Sequence, residues 1–320
     1  MPTTEEMRAH LAAIPNVTVS AGVPLARHTR FGVGGPADLY AESGVEDSFL
    51  EALRAGEASG IPMIVIGGGT NLIVSDRGYR GLVLRYRNDA LRAEGNRVTA
   101  GAGAELQRLV DFTIDRGLKG LETLSGIPGW TGAAVYGNAG AYGHSISERV
   151  ARVRFFDGRQ VRVFSNAECR FAYRESIFKR HKEWIIFSAD LELEPADRDE
   201  LRRTADRILE VRNEKFPVTM RCAGSIFKNL LLRDLPPAVA ALVPAEAVRE
   251  GKVPAAWFLE QVGAKGMQVG DIHVADYHAN LIYNAGGGTA ADLCSLIQDL
   301  KARVRTRFAF DLEEEVQYVG

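Results

Sequence analysis

The chain has 320 residues, 46% of them hydrophobic and 25% charged, with a net charge of −2, the make-up of a soluble globular protein of about two domains. The near-neutral balance argues against a nucleic-acid binder, which would show a basic face, and against a polybasic membrane anchor. Cys169, Cys222 and Cys294 are far apart and lack metal-ligand spacing, the opening MPTTEEMRAH lacks an apolar core, and no apolar run is long enough to span a bilayer; the expectation is a cytoplasmic protein with reduced thiols, no metal, no signal peptide and no membrane insertion.

Residues 5–20 are expected to hold a short helix and a turn. Arg27-His28-Thr29-Arg30 then leads into Gly34-Gly35-Pro36, a strong turn signal. Two arginines and a histidine there suit phosphates, and equally suit a solvated loop. Residues 45–60 read as an amphipathic helix stopped by Gly60, and 62–66 as a buried strand. That strand enters Gly67-Gly68-Gly69-Thr70-Asn71, and a second apolar run follows at 72–74. Successive N–H groups in such a turn can form an anion-binding nest; a glycine-rich hairpin turn is the alternative. The spacing fits neither a Rossmann fingerprint nor a P-loop.

Strands are expected at 82–87 and 97–102. Leu106, Leu109, Val110 and Ile114 make a helix of 105–116, closed by Gly117. Residues 126–143, GIPGWTGAAVYGNAGAYG, hold six glycines and no charged side chain. That is too apolar for a flexible linker. It reads as backbone wrapped against something flat and anionic, or else as a buried, turn-rich connector. Strands at 150–156, 160–164 and 184–193 follow, with Asp157-Gly158 turning between the first two. A charged helix over 201–215 ends before Pro217, and a boundary falls around 212–220. Beyond it come a helix over 252–262 with Pro254 in its first turn, short strands at 272–275 and 281–283 around His278-Ala279-Asn280, and a helix capped by Thr289 and Asp292. Residues 310–316 are expected to form the last strand.

Taken in order, these pieces resemble the UDP-N-acetylenolpyruvoylglucosamine reductases (MurB), flavoenzymes of peptidoglycan precursor synthesis. The resemblance runs over nearly the whole chain. It is carried by Thr29-Arg30-Phe31-Gly32-Val33-Gly34-Gly35-Pro36-Ala37, by Gly67 to Leu72, by Gly126-Ile127-Pro128-Gly129 through Asn138-Ala139-Gly140-Ala141-Tyr142-Gly143, and by Tyr173-Arg174-Glu175-Ser176. Gly224-Ser225-Ile226-Phe227-Lys228-Asn229, the stretch AKGMQVG at 264–270 and His278-Ala279-Asn280 complete it. The glycine motifs alone imply an FAD domain of the vanillyl-alcohol-oxidase type; the later ones are more specific.

The resemblance implies an α+β fold. Residues 1–212 would be an FAD-binding unit of two subdomains, split near 80–90, and 213–320 a C-terminal α+β substrate-binding domain. Gly67, Gly68, Gly69, Thr70, Asn71 and Leu72 would hold the FAD diphosphate through backbone N–H groups. Gly126, Ile127, Pro128, Gly129, Gly132, Ala133, Asn138, Gly140, Ala141 and Tyr142 would line the flavin ring and ribityl chain. NADPH would be the electron donor. The family reaction delivers hydride to C3 and a proton to C2 of an enolpyruvyl ether on a UDP-sugar. Arg174 matches the arginine that grips the substrate carboxylate, Ser225 the proton donor, and Glu315 the C-terminal acid that hydrogen-bonds the enolate-like intermediate. Within Glu313-Glu314-Glu315, strand alternation puts the first and third on one face. Lys215, Asn229, Lys252, Lys265, His278 and Tyr142 sit at matching substrate-binding positions, and no obligate protein partner is implied.

Trp130-Thr131 departs from the family's two small or β-branched residues, Leu230 replaces a proline, and Gln317 stands where some members carry arginine. No tyrosine lies between Arg174 and Ser225, which resembles the subtype lacking the tyrosine-bearing loop. The rival readings are another FAD oxidase or dehydrogenase on the same fold, which has no reason to keep GSIFKN or AKGMQVG, and a non-enzymatic flavin or sugar-nucleotide binder.

Overall fold

The structure, a computed structural model, describes residues 3–320. Its internal contacts form two compact units: Met1–Val23, Ala37–Gly68 and Arg80–Val218 in the first, Pro24–Pro36, Gly69–Tyr79 and Thr219–Gly320 in the second. The polypeptide therefore passes between units inside the triple glycine, between Gly68 and Gly69.

The first unit holds two sheets. One has the strand order Thr18–Pro24, Pro36–Ser43, Tyr79–Tyr86, Met63–Ile66. The last two run parallel, with Ile66 beside Arg85. Helix Glu46–Ser59 buries Phe49, Leu50 and Leu53 and ends at Gly60 with φ 70°. Its Gly56 is held close to the sheet: a Cβ there would lie 2.6 Å from Met63 Sδ. The other sheet is antiparallel, in the order Val161–Ser165, Val150–Phe156, Ile185–Glu192, Arg97–Gly101, Leu91–Glu94. The short Leu91–Glu94 edge strand has no apolar run to announce it. The Asp157 turn forms as expected, its carboxylate accepting the N–H groups of Arg159 and Gln160 at 2.9 and 2.8 Å.

Phe155 is fully buried on that sheet. Its ring lies 4.7 Å from Phe164, 5.1 Å from Phe178 and 4.9 Å from Trp184, centroid to centroid. Phe155→Ala is expected to cost about 3–5 kcal/mol, because rings held on three sides cannot collapse into the space left. Denaturant unfolding measures it. Burial also pushes the Cys169 thiol up to about 12, so it stays protonated.

The second unit centres on the sheet Arg221–Ser225, His278–Asn284, Ile272–Ala275, Gln268–Val269. Helix Ala290–Phe308 packs Leu293, Leu296, Ile297, Leu300 and Val304, all fully buried, into its core. Thr289 and Asp292 make the expected capping box, and the Asp76 carboxylate takes the N–H groups of Ala290 and Ala291, both at 2.9 Å.

Several expectations are corrected. Pro254 does not lie inside a helix over 252–262. It is the N-cap of helix Ala255–Gln261, and Lys252–Val253 before it is strand, because proline drives its predecessor toward extended conformations. His278-Ala279-Asn280 lie within a strand rather than between two. The last strand is Gln317–Val319, parallel to Leu72–Val74. Because Met63–Ile66 pairs with Tyr79–Tyr86 and Leu72–Val74 with Gln317–Val319, the triple glycine does not turn a hairpin. A helix, Thr131–Tyr136, sits inside the glycine-rich stretch. Its Ala-Ala-Val core permits it, but the flanking glycines mask the pattern.

Candidate active site

In the first unit the glycine-rich stretch is pinned from outside before its helix begins. The Gly126 N–H donates to Gln107 Oε1 at 2.7 Å, and its carbonyl accepts from Arg212 Nε at 2.8 Å. The Gly129 carbonyl accepts the Leu106 N–H at 2.9 Å. Ile127 and Pro128 lie between these anchors. Gly132 and Ala133 lie within the helix. The Gly132 N–H donates to Ala102 O at 2.9 Å, and a Cβ on Gly132 would stand 2.7 Å from Ala102 Cβ, so this glycine serves close packing.

After the helix the chain enters strained conformations. Asn138, Tyr142 and Arg174 have φ of 45°, 54° and 56°, the left-handed region that side chains disfavour. Such outliers persist where the surroundings overdetermine them, and they gather at functional sites. Here the restraints are visible. Asn138 Nδ2 donates to Ala172 O at 2.8 Å, and Ser176 Oγ donates to Tyr136 O at 2.6 Å. Arg174 Nη2 donates to Gly140 O at 2.8 Å, and Lys179 Nζ donates to Arg174 O at 2.8 Å. Gly140-Ala141 pairs with His144-Ser145, and a Cβ on Gly140 would meet His144 O at 2.4 Å. Tyr142 stands at the tip, 52% exposed. The structure thus brings Arg174, Asn138, Gly140, Ala141 and Tyr142 together. Lys215 ends helix Arg198–Lys215, its Nζ 5.4 Å from the Phe216 ring centroid.

In the second unit Gly69 has φ 70°, and a Cβ on it would lie 1.6 Å from His28 O; only glycine fits. Its carbonyl accepts the Arg30 N–H at 3.2 Å. Thr70 and Asn71 follow, and Leu72 begins the strand. Asn71 Nδ2 donates to the Glu315 carbonyl at 2.7 Å. Ser225 ends its strand behind a bulge. Cys222 pairs with Tyr283 and Ser225 with Leu281, so three steps face two, and Gly224 takes φ 80° to allow it. A bulge of this kind re-aims the side chain that follows it. The Glu315 N–H then donates to Ile226 O at 2.7 Å. Asn71, Ser225 and Glu315 therefore share one region, although they lie far apart in sequence.

The other expected residues spread around that region. The buried Asn280 holds the Ser225 segment: its Oδ1 accepts the Phe227 N–H at 2.9 Å and its Nδ2 donates to Phe227 O at 2.8 Å. The Asn280 N–H donates to His278 Nδ1 at 3.2 Å, which makes that ring nitrogen an acceptor. Asn229 Oδ1 accepts the Ala255 N–H at 3.3 Å, and Leu231 pairs with Lys252, so Asn229 and Lys252 lie on adjoining strand ends. Lys265 pairs with Glu260 at 2.9 Å, and no bond among the described residues ties it to Ser225 or Glu315. The Gln317 side-chain amide donates at 3.2 Å to the carbonyl of Val316, the residue just before its strand.

These residues fit FAD. The amides of Gly67, Gly68 and Gly69 meet no acceptor among the described residues, the donor set that a diphosphate needs. A Cβ on Gly67 would meet nothing closer than Ala133 Cβ at 3.8 Å, so the Cβ side of Gly67 is uncrowded, and residues 126–143 offer uncharged backbone to a flat ring. Among the described residues no group of three or more His, Cys, Asp or Glu is placed to hold a metal ion, and no helix is long and apolar enough to cross a membrane.

Sequence reasoning missed four residues that shape the site. Asn280 stands out in the sequence only as part of the motif His278-Ala279-Asn280. Arg212 lies on a helix so charged that one more arginine carries no signal. Lys301 sits in the last helix, where only the apolar stripe was read. Arg85 did leave a mark, as a charge inside the apolar run LVLRY.

Comparisons with known proteins bear on the fold and the family. Residues 37–163 match the family model "FAD binding domain", and residues 216–319 match "UDP-N-acetylenolpyruvoylglucosamine reductase, C-terminal domain". A UDP-N-acetylenolpyruvoylglucosamine reductase of Solibacter usitatus is 69% identical over 310 residues, covering 97% of this chain and 99% of the relative. One from Heliobacterium modesticaldum is 37% identical, covering 93% and 89%. The crystal structure of UDP-N-acetylenolpyruvylglucosamine reductase from Thermus caldophilus superposes with a TM-score of 0.74 at 27% identity, over 95% of this chain and all of that one.

Proposed function

The chain belongs to the UDP-N-acetylenolpyruvoylglucosamine reductase family, and on that footing we propose which of its residues carry the reaction. The enzyme is an FAD-dependent oxidoreductase that uses NADPH to reduce the enolpyruvyl group of UDP-N-acetylglucosamine enolpyruvate, giving UDP-N-acetylmuramate for peptidoglycan precursor synthesis. FAD held by the N–H groups of residues 67–72 would supply the hydride chemistry between NADPH and that group.

Arg174 grips the substrate carboxylate, because a planar fork of donors matches two carboxylate oxygens. Hydride arrival at C3 drives negative charge through C2 onto that carboxylate. Glu315, retaining its proton, donates a hydrogen bond to the charged oxygen. The Ser225 hydroxyl gives its proton to C2 and regains one from water. A hydroxyl is a weak acid, but a carbanion is a strong enough base to take its proton at close range. Lys215, Lys252 and Lys265 supply point charges for the substrate diphosphate, with Asn229, His278 and Tyr142 as further contacts. The N–H groups of residues 67–72 take the FAD diphosphate, and residues 126–129, 132–133, 138 and 140–142 line the ring.

The observation that carries this reading is the 2.7 Å bond from the Glu315 N–H to Ile226 O, which sets the acid beside the bulged segment ending in Ser225. We further propose that the enzyme acts in the cytoplasm, where NADPH and nucleotide sugars are at hand, and without an obligate protein partner, since every assigned group comes from one chain. The purified protein is expected to be yellow, to bleach with NADPH under anaerobic conditions, and to regain colour when UDP-N-acetylglucosamine enolpyruvate is added. Colour that returns equally with UDP-N-acetylglucosamine overturns the substrate assignment.

A further inference from the structure

Arg85 stands where the parallel strands Met63–Ile66 and Tyr79–Tyr86 end, beside Ile66. Ligands of parallel strands gather at their carboxyl ends, and Gly67 is the next residue there. The guanidinium is held from several sides. Its Nε donates to Gly67 O at 3.0 Å. Its Cζ lies 4.2 Å from the centroid of the Trp130 ring. Its Nη1 donates to the Tyr40 hydroxyl at 3.2 Å, which in turn donates to Glu42 Oε2 at 3.0 Å. The Trp130 indole also faces the turn: a Cβ on Gly68 would lie 3.2 Å from its Cδ1 and 3.3 Å from its Cγ.

The peptide joining Gly67 and Gly68 is planar and trans, so its C=O and N–H point in opposite directions. A Gly-Gly peptide left alone samples many orientations. Bonding the Gly67 oxygen to Arg85 turns the Gly68 N–H away from the guanidinium. The indole stacked on Arg85 limits how far Gly68 can shift. Trp130 comes from the glycine-rich stretch, so the same cation ties both glycine segments of this unit together.

We infer that Arg85 is a cofactor-positioning residue, holding the 67–68 peptide with its N–H presented to a phosphate while Trp130 buttresses the turn. The inference rests on the reading that the turn takes the FAD diphosphate. Trp130 thereby gains a purpose as the partner that covers one face of the half-buried Arg85 and keeps it in place by a cation–π contact.

The test titrates apoprotein with FAD and with riboflavin, which carries the ring without phosphates, following flavin fluorescence. Gly68→Val disturbs the turn directly, and Arg85→Met removes the cation and the hydrogen bond. A bond to a charged acceptor is worth about tenfold to a hundredfold in affinity. Both variants are expected to lose about that much FAD affinity while riboflavin binding changes less than about threefold. If a folded Arg85→Met protein binds FAD like wild type while Gly68→Val does not, the role of Arg85 is overturned and the diphosphate reading stands. If both variants weaken FAD and riboflavin equally, the turn does not hold the diphosphate and both ideas fall. Should Arg85→Met not fold, Arg85→Lys, which keeps the charge but not the Nε donor, is judged by the same criterion.

Discussion

Ser225→Ala is expected to bleach with NADPH at close to the wild-type rate and to lose about 10²–10⁴-fold in the rate at which substrate restores the colour, the range of a general acid. The two half-reactions separate because only the second needs a proton at C2. The structure gives a reason to expect little collateral damage. Ser225 is held by its backbone, through pairing with Leu281 and through the Gly224 bulge, and the segment after it is clamped by Asn280 at Phe227. None of these bonds uses the serine oxygen, so alanine keeps the local fold. Anaerobic stopped-flow on each half-reaction measures both rates. A variant whose substrate half-reaction stays within threefold of wild type removes Ser225 from the proton-donor role. A variant slowed equally in both halves points instead to a disturbed flavin.

How much of this was legible in the sequence depended on which forces leave a local trace. Apolar periodicity announced helix Ala290–Phe308 and strand Ile185–Glu192, because burial of one face repeats along the element. The triple glycine was legible as a turn of unusual backbone, and at Gly69 the reason is a φ of 70° with His28 O so close that no side chain fits. The partners of that turn were not legible. Leu72–Val74 pairs with Gln317–Val319 across most of the chain's length, and no local pattern records such a pairing. Trp130 stood out as an unusual residue, but its use needed Arg85 and Gly68 in space. Likewise, the bulge before Ser225 needed the register of its neighbour. The two-unit division interleaves the chain, which composition and linker signals, being local, do not show.

The same limit left the three glutamates near the C-terminus ambiguous, and here the structure separates them enough for a scan. The Lys228 N–H donates to Glu313 O, the Glu315 N–H donates to Ile226 O, and Glu314 bridges opposite Phe227 between them. Glu314 is committed: its carboxylate pairs with Lys301 Nζ at 2.6 Å, with side chains only 12% and 22% exposed, and it accepts the Tyr318 hydroxyl. Burial, and then that bond, raise the Tyr318 pKa, so the phenol remains a donor. Glu313 bonds Lys228; its own side chain is 71% exposed but that of Lys228 only 9%, so the pair is buried on the lysine side alone. Alternation then leaves Glu315 on the face away from Lys301. Three different outcomes follow. Glu315→Ala is expected to keep near-wild-type stability and lose about 10²-fold or more in the substrate half-reaction alone, the cost of removing a donor aimed at developing charge. Glu314→Gln is expected to keep most activity at low temperature and lose about 1–3 kcal/mol of stability by leaving Lys301 half-buried without its partner. Glu313→Ala is expected to leave the substrate half-reaction within a few-fold of wild type and to cost about 1 kcal/mol of stability, because the buried Lys228 loses this carboxylate. Denaturant unfolding and single-turnover kinetics on all three variants decide it. Should Glu313→Ala carry the kinetic defect while Glu315→Ala turns over normally, the acid has been assigned one strand repeat out of place.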